Sequence, residues 1–430
     1  MTRLYAQLEA LESTDEQISV AIAGAGRMGR SLAVGSAHVD GLRVTAIADI
    51  EVERAREAFR ELGYTEGEIA FVESVPEGNE ARANGQPVAA PDALLPPQLA
   101  DVDAVIGATG DPDVGATVAL RAIEHGTHVV MLTDETDATV GPYLSTLAAQ
   151  SGVVYSGAAG DEPGAIMELY DFARSLGFDV VAAGKGKNNP LDREATPAGL
   201  ADRADRKGLN PEIYTAFVDG TNSMLEMTMV ANATGLRVDR RGCHGVRVSG
   251  VDELADVFST DGDGVLSRAG AVDFALGGGV APGVFVVVTT DDATIHDDMS
   301  YLKLGTGPNY ALHRNYHIPT MEPLLGAARS ELYGDAALVP EEPVVDTVTV
   351  AKRDLAAGEA IDGIGGSTVY GLAENADVAL RENLVPIGLV EGATLTSDVD
   401  EGEPITYDDV ELQRGELFHL RQLQESHFQA

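Results

Sequence analysis

The feature that most constrains the fold of this chain is an apolar run that leads directly into a glycine-rich turn. Residues 20–29 read V-A-I-A-G-A-G-R-M-G, which contains the pattern G-x-G-x-x-G. In that pattern Gly24 permits a tight turn, Gly26 lets the backbone approach a pyrophosphate, and Gly29 lets the next helix pack closely on the strand. The following helix offers N–H groups and a partial positive charge to the phosphates. The sequence therefore predicts a dinucleotide-binding turn.

An acidic residue at the expected distance supports this prediction. A second apolar run, residues 42–47, is followed by Asp49, at the place where this fold puts a carboxylate on the ribose hydroxyls of adenosine. Its negative charge would repel the 2′-phosphate of NADP and so favours NAD, although the positive charges of Arg54 and Arg56 could reduce this preference. The alternative is a nucleotide-free domain of the same fold. The residues predicted to bind the cofactor are Gly24, Gly26, Arg27, Met28, Gly29, Asp49, Thr109 and Gly110.

The changes in strand, helix and turn patterns along the chain predict three domains. Strand and helix patterns alternate from residue 20 to about 156, with further strands at 102–108 and 128–132, which is typical of a doubly wound parallel α/β sheet of the Rossmann type. The proline-rich segment 66–97 interrupts this alternation. We predict that it is a surface excursion, that is, a long loop that runs over the surface. We predict a Rossmann domain at 1–156, an α+β catalytic domain at 157–338 and a small β-rich domain at 344–415.

Composition limits the classes of partner and the cellular setting. The net charge of −40 argues against nucleic acid and anionic membranes as partners, because both require a basic surface. The excess of acids, with only five lysines among 29 basic residues, is typical of a protein from the high-salt cytoplasm of a halophile. The single cysteine excludes an internal disulfide framework, and no signal or membrane segment is evident. We expect a cytoplasmic protein, a homo-oligomer, that acts on a small molecule.

The segment A-G-K-G-K-N-N-P-L-D at residues 183–192 is the first candidate for chemistry. It follows a predicted strand at 178–182 and carries Lys185 and Lys187, two of the five lysines. A lysine in a cleft can lose its proton near neutral pH and can donate to a carbonyl oxygen as charge grows there. The alternative is a solvated loop. Asn188 and Asn189 are predicted to bind substrate.

Two further segments supply candidate carboxylates. S-G-A-A-G-D-E-P-G at 156–164 carries Asp161 and Glu162, which either cap the helix predicted at 165–176 or work beside the lysines. F-V-D-G-T-N-S-M-L-E-M at 217–227 follows a strand-like run and leads into a helix at 221–234. There Asp219 could cap the helix, whereas Glu226 lies among methionines and would need a cationic partner if buried.

The segment 301–317 is dense in polar and aromatic residues and is a candidate pocket wall. It contains Lys303, predicted to bind substrate, and His313 and His317. Two histidines at helical spacing without an acidic third ligand do not make a metal site, and D-G-D-G at 261–264 lacks the later acids of a calcium loop. We predict no metal site.

Several long motifs resemble one family of proteins. G-A-G-R-M-G, M-L-T-D-E-T-D-A-T-V-G-P-Y-L, G-D-E-P-G, A-G-K-G-K-N-N-P-L-D, F-V-D-G-T-N-S-M-L-E-M and Y-L-K-L-G-T-G-P-N-Y are similar to those of homoserine-dehydrogenase-like oxidoreductases with a C-terminal SAF domain. This group includes proteins similar to 1-deoxy-D-xylulose 5-phosphate reductoisomerase. The resemblance implies that Lys185 and Lys187 face nicotinamide and substrate, surrounded by Asp161, Glu162, Asp219 and Glu226, with Thr221 and Asn222 in the substrate site. Asn222 stands where many relatives have lysine.

Three functions are compatible with these features. The first is an NAD(P)-dependent oxidoreductase that moves a hydride between nicotinamide and the carbonyl or alcohol carbon of a small polar, hydroxylated substrate. The second is a sugar-phosphate reductoisomerase, which would add a carbon-skeleton rearrangement and a divalent metal such as Mg²⁺. The third is a non-catalytic nucleotide sensor or scaffold. A metal requirement separates the second from the first, and binding of NADH without turnover identifies the third.

Overall fold

The computed structural model describes residues 3–14 and 16–429. The chain forms two compact units built from discontinuous segments. The first unit contains the chain up to Gly164, Ile318–Glu341 and the segment from His419 onwards. The second unit contains Ala165–His317 and Glu342–Phe418. None of the described helices is long and apolar enough to cross a membrane.

The first unit is built on a seven-stranded sheet in which every pair of neighbouring strands is parallel. The strands are β1 (Ile18–Ala23), β2 (Leu42–Ala48), β3 (Ala70–Phe71), β4 (Val88–Ala90), β5 (Ala104–Gly107), β6 (His128–Met131) and β7 (Tyr155–Gly157). Their order is β3-β4-β2-β1-β5-β6-β7, so the chain changes direction across the sheet between β1 and β5. In such folds ligands bind at that switch point, beyond the carboxyl ends of the strands.

Helices cover this sheet, as the buried residues of its strands require. All six residues of β1 are buried, which is typical of a parallel strand covered on both faces. The helices are α1 (Leu4–Thr14), α2 (Arg27–Ser36), α3 (Val52–Glu61), α4 (Val75–Ala83), α5 (Pro112–His125), α6 (Asp134–Ser151) and α13 (Glu322–Tyr333), with the start of α7 (Glu162–Ser175) and the end of α15 (Glu416–Phe428). The predicted doubly wound Rossmann sheet is confirmed.

The prediction that residues 66–97 form a surface excursion is wrong. This segment contributes β3, α4 and β4, and β4 pairs in parallel with β2 inside the sheet. Val88, Ala89 and Ala90 are fully buried. The prolines that suggested an irregular path lie outside the strands, where they leave the hydrogen bonds of the sheet intact.

The second unit contains a mixed five-stranded sheet in the order β12-β11-β8-β10-β9. Its strands are β8 (Asp179–Lys187), β9 (Val246–Arg247), β10 (Ala271–Leu276), β11 (Val284–Thr289) and β12 (Asn309–Arg314). Its helices are α8 (Pro197–Lys207), α9 (Pro211–Asp219), α10 (Thr221–Thr234), α11 (Leu254–Val257) and α12 (Ala293–Tyr301). The strand-like run expected before residue 217 is the helix α9, which begins at a proline after an asparagine cap.

The C-terminal part of the second unit is a small β-rich module, as predicted. It contains the antiparallel pair β13 (Val345–Ala351) and β14 (Val369–Asn375), the short helix α14 (Ala376–Arg381), and the short pair β15 (Thr394–Leu395) and β16 (Val410–Glu411). Isolated bridges such as Val348 to Pro386 and Val350 to Pro404 extend the pairing around β13. The predicted combination of a parallel α/β sheet, an α+β domain and a β-rich module is therefore confirmed.

Candidate active site

The glycine-rich turn after β1 has the backbone geometry that a dinucleotide requires. Gly24 has a φ of +103°, and a Cβ there would lie 2.3 Å from the carbonyl oxygen of Ala108. A Cβ on Gly29 would lie 1.9 Å from the carbonyl oxygen of Gly24, so only glycine allows α2 to pack this closely. At Gly26 a Cβ would meet open space. The turn therefore closes tightly while leaving room beside Gly26.

The start of α2 is suited to a phosphate. Gly26 is the N-cap of this helix, and a glycine has no side chain with which to accept hydrogen bonds from the N–H groups of the first turn. A helix N-terminus attracts anions through its N–H groups and its dipole. Arg27 and Met28 form the first turn. These residues fit the pyrophosphate of a dinucleotide.

Asp49 lies where the sequence predicts it, at the end of β2. It is nearly buried, and its Oδ2 accepts a hydrogen bond from the N–H of Ala25 at 2.8 Å while its Oδ1 accepts one from the N–H of Glu51 at 2.9 Å. These bonds fix the carboxylate against the glycine-rich turn. An ionised carboxylate has about four acceptor positions, so it can still bind ribose hydroxyls.

A pocket of about 370 Å³ opens beyond the carboxyl ends of these strands. Three predicted cofactor residues, Gly24, Asp49 and Thr109, line it, and Gly110 follows Thr109 in the chain. The sequence analysis missed the loop after β4, which contributes Pro91, Asp92, Ala93 and Leu94. The apolar run at 88–90, ended by proline and aspartate, is the signal that could have identified this wall.

The charges around this pocket favour an uncharged 2′-hydroxyl over a 2′-phosphate. The acids Asp49, Asp92 and Asp111 line it, and no basic side chain does so among the described residues. Arg54 pairs with Glu51 at 2.7 Å and Arg56 pairs with Glu66. Both arginines are therefore engaged with acids on the surface.

The first unit contains a buried carboxylate, Asp137, in the first turns of α6. Asp137 is fully buried, and within the described chain neither of its oxygens makes a hydrogen bond of normal geometry. Burial raises the pKa of Asp137 to about 7, an effect that the neighbouring Tyr155 hydroxyl offsets in part. The sequence analysis did not select this residue, because a first-turn acid is common in exposed helices.

The two candidate lysines lie on a strand, not in a loop. The strand predicted at 178–182 continues to Lys187, because β8 pairs with β10 on one side and β11 on the other as far as the lysines. In the run G-K-G-K the side chains alternate between the faces of the sheet. A Cβ on Gly184 would lie 1.8 Å from the carbonyl oxygen of Asp273, and one on Gly186 would lie 2.3 Å from the N atom of Ala281. The glycines therefore allow close packing on one face while both lysines share the other.

Lys185 is held in a buried ion pair with Glu226. The Lys185 side chain is 7% exposed and that of Glu226 is 1% exposed. The Asn222 amide, one turn earlier on α10, donates to Oε1 of Glu226 at 2.5 Å. The cationic partner expected for a buried Glu226 is thus Lys185. Removing either charge would leave the other buried and unpaired.

Lys187 is also buried, but its hydrogen-bond partner is neutral. Its Nζ donates to the backbone carbonyl of Phe217. Burial, and then the charge of Lys185, lower its pKa from 10.5 to about 8, against the opposing effects of Glu226 and Asp219. Lys187 can therefore gain or lose a proton close to physiological pH.

Asp219 lies at the end of α9 and is fully buried. Its Oδ1 accepts the N–H of Thr221 at 2.8 Å, which satisfies one N–H at the start of α10 as a capping residue would. Its Oδ2 pairs at 2.8 Å with the ammonium of Lys352, which follows β13. Burial raises the pKa of Asp219, and the charge of Lys352 opposes this increase. Lys352, some 130 residues away in sequence, is the main residue that the sequence analysis missed.

Five further predicted site residues are more exposed than the two lysines. Asn188 is exposed and Asn189 is half-buried just beyond the end of β8, while Lys303 is exposed in the turn after α12. Asp161 and Glu162 are half-buried at the start of α7 in the first unit. His313 lies on the strand β12, not on a helix. No cluster of three or more potential metal ligands occurs among residues 3–14 and 16–429.

Sequence profiles of three known families match successive parts of the chain. Residues 18–131 match the oxidoreductase family with an NAD-binding Rossmann fold, GFO_IDH_MocA. Residues 160–323 match the catalytic domain of oxidoreductase DRL, and residues 346–411 match the SAF domain. Each of these matches covers less than half of the chain. Together they identify an oxidoreductase with an NAD-binding Rossmann domain, followed by segments that match the DRL catalytic domain and the SAF domain. As predicted, this oxidoreductase depends on NAD(P).

Solved structures that match part of this chain include several dehydrogenases and reductases. A probable dehydrogenase from Thermotoga maritima is 14% identical, with 63% of this chain and 72% of that chain covered and a TM-score of 0.37. The 1-deoxy-D-xylulose 5-phosphate reductoisomerase from Zymomonas mobilis is 15% identical, with 75% and 82% covered and a TM-score of 0.40. A myo-inositol dehydrogenase from Corynebacterium glutamicum is 14% identical, with 64% and 65% covered and a TM-score of 0.33. No significant match is found among curated proteins.

Proposed function

We propose that this oxidoreductase moves a hydride between nicotinamide and the carbonyl or alcohol carbon of a small polar, hydroxylated substrate, as the homoserine-dehydrogenase-like group does. The observation that carries the proposal is the pair of buried lysines on β8, one fixed by a carboxylate and the other with a neutral partner. A protein that only sensed or displayed a nucleotide would have no use for two desolvated ammonium groups, since burying them costs stability.

The two lysines have different roles in this proposal. Lys185, paired with Glu226, supplies a fixed positive charge that stabilises negative charge on the substrate oxygen. Lys187, whose pKa lies at about 8, donates a proton to that oxygen during reduction and takes one from the alcohol during oxidation. The chemistry that a bound nicotinamide supplies is hydride transfer at the adjacent carbon. Asn222, at the start of α10, is proposed to hydrogen-bond substrate hydroxyls. The predicted role of Thr221 in substrate binding is not retained, because its side chain is fully buried and its hydroxyl accepts the N–H of Gly371.

Cofactor choice is part of the same proposal. The acids that line the pocket of the first unit and the surface pairing of Arg54 and Arg56 support a preference for NAD over NADP. The acidic composition supports a high-salt cytoplasm as the working environment. Assays are therefore designed in molar salt.

The experiment is a screen of short aldehydes, ketoses and polyols with both cofactors, followed by the absorbance of reduced nicotinamide. With an active substrate, Lys187→Met is expected to lower kcat by about 100-fold or more while leaving NADH binding intact. The reduction rate of the wild type is expected to fall above about pH 8, as Lys187 loses its proton. The exposed Lys207→Met is the matched control.

The outcomes of this screen separate the three functions. Turnover that survives Lys187→Met with an unchanged pH profile would refute the role of this lysine. Activity on a sugar phosphate that is lost with a chelator and restored by Mg²⁺ would favour a reductoisomerase. Binding of NADH without oxidation by any carbonyl compound would favour a sensor.

A further inference from the structure

The helix α10, which carries Glu226, is also bound along a second face by the SAF domain. Its polar residues Thr221, Thr228 and Asn232 follow helical spacing and differ from those that approach the lysines. Four hydrogen bonds join this face to β13, β14 and the residue before β13. Thr221 Oγ1 accepts from the N–H of Gly371 at 2.9 Å, and Thr228 and Thr347 share a hydrogen bond of 2.8 Å. Asn232 Oδ1 accepts from the N–H groups of Val344 and Val345. The SAF domain therefore fixes the position of this helix.

A lysine of the SAF domain extends this attachment to Asp219, whose charge acts on the lysine cluster, the pair Lys185 and Lys187 on β8. Lys352 follows β13, and its side chain is only 2% exposed. Its ammonium pairs with Asp219 at 2.8 Å and donates to the carbonyl oxygens of Ala195 at 2.8 Å and Gly366 at 2.6 Å. Two of these partners accept hydrogen bonds and the third is a carboxylate, so the ammonium is surrounded by oxygen atoms within 2.8 Å. Lys352 is therefore held in one place by groups from both the catalytic and the SAF segments.

Asp219 connects Lys352 to the catalytic segment in two ways. Its second oxygen accepts the N–H of Thr221, which fixes the start of α10. Two residues earlier in the chain, the carbonyl of Phe217 accepts a hydrogen bond from the Lys187 ammonium. A fully buried carboxylate in this position remains charged only if a cation compensates it. The ammonium that contacts it is Lys352.

We propose that Lys352 is a positioning residue for the lysine cluster: it holds Asp219 as an anion at the end of α9, and so sets both the start of α10 and the negative charge that acts on Lys187. The SAF domain is then a working part of the catalytic centre. This inference goes beyond the proposed function and does not require a substrate to be known.

The charges that act on Lys187 predict what the loss of Lys352 would do. Lys185 on β8 and Arg193, in the segment before α8, lower the pKa of Lys187, whereas Glu226 on α10 and Asp219 on α9 raise it. Without Lys352, burial would favour the protonated, neutral form of Asp219. The pKa of Lys187 would then fall further, because one of its two opposing negative charges is gone.

The scarcity of lysine makes a direct measurement possible. With only five lysines in the chain, isotope-labelled lysine gives a small set of side-chain NMR signals, each assigned by single replacement. The experiment is a pH titration of the Lys187 signal in the full chain. In Lys352→Met the midpoint is expected to fall by roughly half a unit or more relative to wild type. Asp219→Asn is expected to give the same fall, and the double variant no further fall.

The double variant keeps the test decisive if a single variant does not fold. Replacing both members of a buried ion pair by neutral side chains leaves no buried charge unpaired, so Lys352→Met with Asp219→Asn should fold. Lys207→Met, on the exposed end of α8, is the matched control and should leave the Lys187 midpoint unchanged. If Lys352 had only a structural role, its replacement would change the free energy of unfolding but not the midpoint of the Lys187 titration.

A wild-type midpoint for Lys187 in a folded Lys352→Met variant, or in the folded double variant, would overturn the inference. This result would leave the catalytic role proposed for Lys187 intact, since that role is tested by turnover. Conversely, a failure to find any substrate would not affect the titration. The two proposals therefore fail separately.

Discussion

Replacing Lys187 by methionine should change stability in a way that depends on pH. In the folded protein burial lowers the pKa of Lys187 to about 8, whereas the ordinary value of 10.5 applies to the unfolded chain. Between these two values the unfolded state binds more protons than the folded state. The free energy of unfolding of the wild type therefore rises with pH through this window, relative to a variant that has no amine at this position.

The size of the effect follows from the shift. Each pKa unit corresponds to 1.36 kcal/mol. The fall from 10.5 to about 8 therefore lowers the free energy of unfolding below pH 8 by about 3.4 kcal/mol, compared with a lysine of unshifted pKa. Between pH 7 and pH 9.5, the wild type should gain about 2 kcal/mol relative to Lys187→Met. The loss of the hydrogen bond to Phe217 adds a roughly constant offset, which does not alter this slope.

Guanidinium chloride unfolding in constant salt, repeated across this pH range, measures the effect. Only the difference between wild type and variant is used, because the many surface acids titrate alike in both. Lys207→Met, whose side chain is exposed, is the control, and its difference from wild type should be constant. If the Lys187→Met difference is also constant to within about 0.5 kcal/mol, the lysine does not titrate as inferred, and its role as a proton donor near pH 8 loses its physical basis.

Three further changes test neighbouring parts of the molecule. Asp49→Asn removes a negative charge from the cofactor pocket, and titration of both cofactors should show the affinity for NADP relative to NAD rising by roughly tenfold or more. Glu226→Gln leaves Lys185 buried without its carboxylate and should lower the free energy of unfolding by about 3–5 kcal/mol, most of which Lys185→Met in the same chain should restore. Asp137→Asn removes a buried acid whose pKa is raised to about 7; since the folded state holds that proton more tightly, the wild type should lose roughly 2.5 kcal/mol relative to the variant between pH 5 and pH 8.

The features that could be predicted from sequence are those fixed by neighbours in the chain. The turn at Gly24, the carboxylate of Asp49 and the helix from Thr221 to Thr234 depend on spacing within one strand, turn or helix, and the structure places each where the spacing indicates. The strand β4 was missed because it is short and flanked by prolines. Its place in the sheet depends on pairing with β2, about 40 residues earlier.

The candidate site was predicted only in part, for a related reason. Glycine alternating with lysine has low β propensity, so the sequence of this segment alone does not predict that β8 extends to Lys187. It depends on β10 and β11, which pair with this segment from later in the chain. The pairing of Asp219 with Lys352 joins two segments of very different sequence position, and no local pattern reports such a contact.

The distribution of lysine nevertheless gave information that motifs did not. Arginine supplies most of the basic residues of this chain, yet the three lysines Lys185, Lys187 and Lys352 are buried together with acids in one unit, and the other two are exposed. Arginine carries its charge at any physiological pH and cannot exchange a proton, whereas lysine can do so once burial and neighbouring charges lower its pKa. A compact ammonium also fits three acceptors at one point, as Lys352 does. A chain that uses arginine on its surface therefore keeps lysine where proton transfer or a buried three-way contact requires it, and such a residue deserves testing before any surface motif.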